Sequence, residues 1–560
     1  MLTIKRLSFR QTFFLLPLLI LTTAVSASSR FSNSLSHFTY VGGDNNDIAF
    51  AITVDEEDNI YIAGSTTSEY FDHFYDRKLT TTPRNNQNCF IVKISSDSPN
   101  EDWLFELSGN KRETCRELAL DNQGNVYITG ETQSSDFPTT TQEKLKGEWD
   151  VFIVKLNSVG ELLYSSLLGG ENTDYGHGLA VLSPDHIYIS GETWSTEFPT
   201  TDNAFMKNCK LTVKCNGDNA NAYVTHLDIS NPKFTRILYS TYIGGSNQDK
   251  AHDLAIDNHG HLHIVGETRS QDFPLNNQLQ DSLDGTFDGF LVIIDPSQQN
   301  DSSFTMGTYL GGSKNDYIYS VTTNDQGDSV LSGETWSDNF PTTKNAFSRA
   351  CAKNKLPCMP KNKFNAHSDI FVSVIRHNHT SELLYSSLFG GNGNDTPSDI
   401  YLDESDLYVT GVSFSDNFPL TDNAYKTSCS VSKQCKELND GIILKIDLSE
   451  ENNRSLQYSS YIGGNKSDSI FSMASNKPGE VYLAGSTYSK KLSTPEAFDH
   501  NSAGGEAFYQ RLSFRSGNYI DQNSVPQKTT TGSALSLLLV SLFSLIFVRR
   551  RNSNQNSFFS

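Results

Sequence analysis

The chain has 560 residues, with 44 Lys+Arg against 65 Asp+Glu and a formal net charge of −21. So long a chain can bury a real core, so its eight cysteines do not make it a small disulfide scaffold. The acidic balance excludes nucleic-acid binding by bulk electrostatics, because a polyanion repels a polyanion.

The N-terminus carries Lys5, Arg6 and Arg10, then an apolar run over residues 13–25 and small residues around Val25-Ser26-Ala27. The run is short for a bilayer span, and the pattern predicts a secretory signal over residues 1–27.

From residue 37 to 515 the chain is seven copies of one unit. Each copy opens on a strand ending in Gly-Gly, as in Tyr40-Val41-Gly42-Gly43 and Tyr242-Ile243-Gly244-Gly245; Leu107-Ser108-Gly109 is a degenerate copy. The first positions of the pair fall at 42, 108, 169, 244, 311, 390 and 463. A strand such as Leu118-Ala119-Leu120-Asp121 follows, then a turn (Asn122-Gln123-Gly124-Asn125) and a second strand (Val126-Tyr127-Ile128-Thr129-Gly130). After a loop with Phe-Pro comes a third strand, seen at Phe90, Phe152, Tyr223, Phe290, Phe371, Ile442 and Phe508. The runs are short, rich in Val, Ile and Tyr, broken by Gly and Asn, and show no helical period. Four strands in each of seven units predict an all-β fold, a seven-bladed β-propeller of four-stranded blades. The chain begins at a Gly-Gly strand (residues 37–43) and ends at the Phe508 strand. The N-terminal strand is therefore expected to complete the last blade and close the ring, with the acid-led strand innermost.

These motifs resemble the SBBP repeat family, whose unit runs Gly-Gly, an acid, Asp-x-x-Gly-Asn-x-Tyr and Gly-x-Thr-x-Ser-x-x-Phe-Pro. The resemblance covers about residues 37–515 and implies an exported seven-bladed propeller, with no implied reaction. Blade one lacks the Phe-Pro pair, and blade seven has Ser489-Lys490-Lys491-Leu492 in its place.

The repeated polar positions are the candidate site. The fourth residue after the second Gly is acidic in every unit: Asp47, Glu113, Asp174, Asp249, Asp316, Asp395 and Asp468. Two readings stand. The acids cap the Gly turn as Asx-type turns, the favoured reading, or they form a ring that holds a divalent cation, with calcium as cofactor. The second strand ends in Gly-Glu-Thr at Glu131, Glu192, Glu267 and Glu334, and Trp194 and Trp336 follow two residues after the glutamate. Carboxylates beside aromatics on one face suit a sugar or a peptide, unless the rings pack between blades. Phe137-Pro138, Phe198-Pro199, Phe273-Pro274, Phe340-Pro341 and Phe418-Pro419 are expected to fix loops. His259, His261 and His263 lie close, but a zinc site wants further ligands that the sequence does not place.

Three cysteine pairs follow the phrase Asn-Ala-Phe/Tyr: Cys209 with Cys215, Cys351 with Cys358, and Cys429 with Cys435. They are expected to staple three loop insertions, and Cys89 with Cys115 to join adjacent blades. Beyond a linker at 516–533, an apolar run at 534–548 precedes Arg549-Arg550-Arg551. This tail resembles bacterial sorting signals of the GlyGly type, here with Gly532-Ser533. The positive-inside rule places the arginines in a basic cytoplasmic tail over 549–560, and the resemblance implies a transmembrane or sorting helix over 534–548, the membrane as a partner and a sorting protease.

The sequence thus predicts a non-catalytic, exported, surface-anchored propeller of the cell envelope. Its long-loop face is expected to bind a protein or glycan, with no nucleic-acid partner. No catalytic residue is predicted: there is no Ser-His-Asp signature, phosphate loop or zinc-protease helix. Two rivals are a structural envelope protein and a hydrolase or lyase sited in the channel. Unlike residues breaking the sevenfold pattern would mark the latter.

Overall fold

The computed structural model describes residues 34–71, 87–209, 219–351, 367–377, 380–429, 438–492, 494, 497 and 505–514. Its strands form seven antiparallel four-stranded sheets. Blade one holds β2 (Asp47–Val54), β3 (Ile60–Thr66), β4 (Asn88–Ile94) and β5 (Trp103–Leu107). Blade two holds β6 (Glu113–Leu120), β7 (Val126–Thr132), β8 (Asp150–Leu156) and β9 (Leu162–Leu168). Blade three holds β10 (Asp174–Ser183), β11 (His186–Thr193), β12 (Asn221–Asp228) and β13 (Arg236–Ile243). Blade four holds β14 (Asp249–Ile256), β15 (Leu262–Thr268), β16 (Asp288–Ile294) and β17 (Phe304–Leu310). Blade five holds β18 (Asp316–Thr323), β19 (Ser329–Thr335), β20 (Asp369–Arg376) and β21 (Glu382–Phe389). Blade six holds β22 (Asp395–Asp403), β23 (Asp406–Ser413), β24 (Asp440–Asp447) and β25 (Leu456–Ile462). Blade seven holds β26 (Asp468–Ala474), β27 (Glu480–Thr487), β28 (Glu506–Ser513) and, from the other end of the chain, β1 (Ser34–Val41).

The first strand of each blade touches the first strands of both neighbours, and β2 meets β26, so the ring closes around a central channel. Third strands lie inside their sheets, packed on both faces. This is why β4, β8 and β16 are buried along their whole length and read as unbroken apolar runs. First strands alternate buried and half-buried positions, one side facing the channel.

Closure by the N-terminal strand is as predicted. β1 pairs antiparallel with β28 from Leu35 opposite Leu512 to Val41 opposite Ala507. Tyr40 repeats the role of the fourth-strand tyrosines elsewhere. Its hydroxyl donates to the Ser489 carbonyl at 3.0 Å, as Tyr242 does to Ser195 at 2.8 Å and Tyr309 to Ser270 at 2.7 Å.

The Phe-Pro phenylalanines are core residues, in four blades packed against a third-strand aromatic, for example Phe340 against Phe371 at 4.3 Å, while Phe418 meets Tyr461 of the fourth strand. Blade one departs less than its sequence suggests, since Phe71 fills the same place against Phe90 at 4.9 Å and only the proline is missing. In blade seven the place is taken by Leu492.

Cys89 and Cys115 are disulfide-bonded across blades one and two, with Cα atoms 5.3 Å apart. Cys209, Cys351 and Cys429 are also disulfide-bonded, while Cys215, Cys358 and Cys435 lie outside the described residues. Replacing both Cys89 and Cys115 by Ala is expected to destabilise the ring by about 2–4 kcal/mol, read by denaturant unfolding.

One expectation is corrected. Among the described residues no helix is long and apolar enough to cross a membrane; the helices there are 3-10 turns at Pro99–Glu101, Asn300–Ser303 and Asn452–Arg454. The membrane contact was read from residues 534–548, which lie outside the described residues. The described chain thus gives no helix to hold a membrane partner. The signal over 1–27 and the tail over 549–560 also lie outside the described residues.

Candidate binding site in the central channel

Antiparallel pairing puts the start of each first strand, the end of the second and the start of the third at one end of the blade: Asp174 faces Thr193, which faces Asn221. The Gly-Gly turns, the Gly-Glu-Thr ends and the insertions before β12, β20 and β24 therefore share one side of the ring. The short hairpins lie on the other.

The seven acids are buried, each 0–2% exposed. In every blade the carboxylate accepts a hydrogen bond from the second residue of the turn pair, Gly43, Gly109, Gly170, Gly245, Gly312, Gly391 or Gly464, at 2.6–3.1 Å. In six blades the serine of the Gly-x-Thr-x-Ser motif donates to it at 2.7–3.0 Å, as Ser337 does to Asp316. The preceding Thr or Ser donates to the other oxygen in five, through Thr132, Thr268, Thr335, Ser413 and Thr487. A Cβ on Gly244 would come within 2.4 Å of Asp249, and the backbone there has φ +155°, so this position needs glycine. Each acid thus ties the turn to its own blade. None of the seven belongs to a metal-holding group among the described residues.

Burial drives these carboxyls up against the pull of their donors, to about 6 for Asp47 and about 7 for Glu113, Asp174, Asp249, Asp316 and Asp395. A carboxyl raised in the folded state adds stability that is complete below its unfolded pKa, near 4. That stability is lost as pH rises through the folded value. The melting temperature is therefore expected to fall between about pH 4 and pH 7, and Asp249→Asn to flatten that slope in calorimetry. A rise over the same window would contradict the assignment.

The channel itself holds what the repeat pattern hides. Every first strand carries a β-bulge at the same register, between Ala49 and Ala51, Cys115 and Glu117, Gly176 and Gly178, Ala251 and Asp253, Ile318 and Ser320, Pro397 and Asp399, and Ile470 and Ser472. The extra residue has no cross-strand partner and is turned toward the axis. Those seven residues are Phe50, Arg116, His177, His252, Tyr319, Ser398 and Phe471, no longer one type repeated. A cavity of about 410 Å³ is lined by the bulge residue of every blade, with Glu117, Asp253, Ser320, Pro397, Asp399 and Ser472 beside them.

The bulges also free backbone amides, and half-buried acids of the neighbouring blade take them up. Asp253 accepts from Val321 N at 2.8 Å and Ser320 Oγ at 3.0 Å; Asp399 accepts from Met473 N at 2.8 Å and Ser472 Oγ at 3.1 Å. These bonds sew blade four to five and blade six to seven. Burial, aided by Asp399, pushes the Asp253 carboxyl up to about 7, and burial raises Glu117 and Asp399 too.

The glutamates of Gly-Glu-Thr reach this ring. Arg116 donates to Glu131 through Nε and Nη2 at 2.7–3.1 Å. His177 lies 3.5 Å and Lys250 3.1 Å from Glu192, His252 lies 3.6 Å from Glu267, and the Tyr319 hydroxyl donates to Glu334 at 3.2 Å. The matching positions in blades one, six and seven are Ser65, Val412 and Ser486, where the bulge residues are Phe50, Ser398 and Phe471. Blades two to five make a polar half and the others a largely apolar half, with Phe50 and Phe471 in contact at 5.5 Å.

Trp194 and Trp336 are half-buried at the rim. Trp194 meets Tyr175 edge-on at 5.6 Å and lies under Lys250 at 5.8 Å. It lines a second cavity of about 370 Å³ with Glu148, Glu171, Asn172, Thr173 and Tyr175. Trp336 donates its backbone N–H to Asn315 and lines neither cavity. The structure therefore joins Glu131, Glu192, Glu267 and Glu334 to the channel, sets Trp194 beside it and leaves Trp336 apart.

Three segments, residues 38–72, 107–138 and 238–274, match the family model described as a beta-propeller repeat, SBBP. These three segments are similar to that repeat. The Regulatory protein FlaEY of Caulobacter vibrioides is 24% identical over 224 residues, which is 39% of this chain and 22% of that protein, so the chain matches about a fifth of that relative's length. Among solved structures, the Pan2 WD40 domain of Neurospora crassa is 9% identical with a TM-score of 0.38, covering 87% of this chain and 98% of that one. Sqt1 of Chaetomium thermophilum is 11% identical with a TM-score of 0.37, covering 80% and 95%. In this ring the repeated motif residues bind the turns, and the unlike residues sit in the channel.

Proposed function

We propose that the protein is an exported, non-catalytic propeller that binds a neutral glycan at the channel mouth. The observation that carries this is the division of the bulge ring into a polar and an apolar half. A sugar ring has an apolar face and a rim of hydroxyls. Phe50 and Phe471 offer the apolar platform, while Arg116, His177, His252 and Tyr319, held in place by Glu131, Glu192, Glu267 and Glu334, offer oriented donors and acceptors. The acids outnumber the cations here, which disfavours an anionic ligand. Disulfide-bonded cysteines support an oxidising, exported location.

A glycan array followed by calorimetry tests the reading. Phe471→Ala and Tyr319→Phe are each expected to weaken binding about tenfold or more with the melting curve retained. Absence of any glycan ligand, or unchanged affinity in both variants, would refute it. A second reading, a channel-sited hydrolase or lyase, is favoured by the meeting of Arg116, His177, His252 and Tyr319 around one cavity. Release of new chain ends from a bound glycan would support it over simple binding.

A further inference from the structure

The hairpin side carries a histidine cluster that the channel reading does not use. In blades one and two the hairpin aspartate is bonded by the asparagine four residues on and the tyrosine six residues on: Asn59 and Tyr61 to Asp55 at 2.8 and 3.1 Å, Asn125 and Tyr127 to Asp121 at 2.7 and 2.9 Å. Blade four keeps the aspartate, Asp257, but puts His261 and His263 at those two places. The asparagine and tyrosine donors have both become imidazoles.

The carboxylate is held in place. Asp257 Oδ1 accepts the backbone N–H groups of His259 and His261 at 2.9 and 2.8 Å, leaving Oδ2 turned to the rings. His261 Nδ1 lies 3.0 Å from Oδ2 and His263 Nε2 3.5 Å from it. His263 is fully buried, with Nδ1 at 2.7 Å from Ser329 Oγ of blade five, and its Nε2 makes no hydrogen bond among the described residues. His377, also of blade five, packs against His263 with ring centres 5.1 Å apart, and its Nδ1 likewise makes no hydrogen bond there. Ligand atoms of Asp257, His263 and His377 all lie within 4.8 Å of one another.

We propose that Asp257, His263 and His377, whose ligand atoms already lie together, form a structural site for a divalent transition metal, zinc by ligand type, that staples blade four to blade five, with His261, which shares Asp257 with His259 in a second triad, closing in as the fourth ligand. Three imidazoles and one carboxylate are a zinc donor set. Ligand atoms around a tetrahedral zinc stand about 3.3 Å apart at bond lengths of 2.0–2.1 Å. The 3.0 and 3.5 Å separations at Asp257 already approach that edge. With Ser329 Oγ 2.7 Å from its Nδ1, His263 as the Nδ1–H tautomer donates to the serine and keeps its Nε2 lone pair for the metal, the arrangement expected of a held ligand. Four protein ligands fill the tetrahedron and leave no open position for substrate, so the metal serves the fold and not a reaction.

The test is zinc binding by the full chain after chelator treatment, read by metal content, by calorimetry and by melting temperature. One zinc per chain with a higher melting temperature is expected. The decisive variant restores the repeat's own residues, His261→Asn with His263→Tyr. It should fold and melt like the zinc-free wild type, yet lose zinc affinity about 100-fold or more. His377→Ala should lose affinity too and serves if the double variant does not fold. Cobalt in place of zinc should give a tetrahedral visible spectrum in the wild type alone. No zinc-dependent stabilisation of the wild type, or equal zinc content in the folded double variant, would overturn the site.

Discussion

A chain lacking residues 28–43 is expected to melt on the order of 5–10 °C lower than the whole protein and to aggregate. The deletion removes β1, and with it the buried Phe38, Tyr40 and Val41. Phe38 stacks on Phe508 at 4.9 Å, and Val41 packs in the core shared with blade one. Three such side chains contribute roughly 1.5–3 kcal/mol each. The loss also strips β28 of one row of hydrogen bonds and leaves an open edge in blade seven. Calorimetry and size-exclusion chromatography read both effects. A monomeric product with an unchanged melting temperature would contradict closure by the N-terminal strand.

The second large effect belongs to the buried acids. Asp316→Ala is expected to cost about 3 kcal/mol or more, because it leaves Gly312 N–H, Ser337 Oγ and Thr335 Oγ1 without their acceptor in a buried place. Asp316→Asn keeps one acceptor oxygen and should cost clearly less. If the acid served a shared cation instead, both variants would abolish a calcium-dependent rise in melting temperature present in the wild type. On the turn-holding account, calcium moves the melting curve of neither.

The fold was legible because its signals repeat. The Gly-Gly turns, the Phe-Pro phenylalanines and the aromatic third strands recur since each blade solves the same packing problem. The chain's phase, starting on a fourth strand, disclosed the closure that Tyr40 carries out. The role of the acids was readable as turn chemistry, though the serine and threonine that hold them were seen only as motif letters. The channel ring was not legible. Phe50, Arg116, His177, His252, Tyr319, Ser398 and Phe471 occupy one place in the repeat but share no chemistry, so a search for sameness passes over them. A bulge, which a sequence does not announce, decides that they face the axis. The metal cluster was half visible, since His261 and His263 are neighbours in sequence while His377 comes from the next blade, 114 residues on.

The central claim is that ligand binds where the polar and apolar halves of the bulge ring meet. A crystal structure of the protein soaked with the strongest glycan from the array tests it most directly. The account predicts sugar density in the channel cavity, stacked on Phe50 or Phe471 and hydrogen-bonded on the side of Tyr319 and Glu334. Density confined to the Trp194 cavity or to the cysteine-stapled insertions, with the channel holding solvent alone, would contradict it.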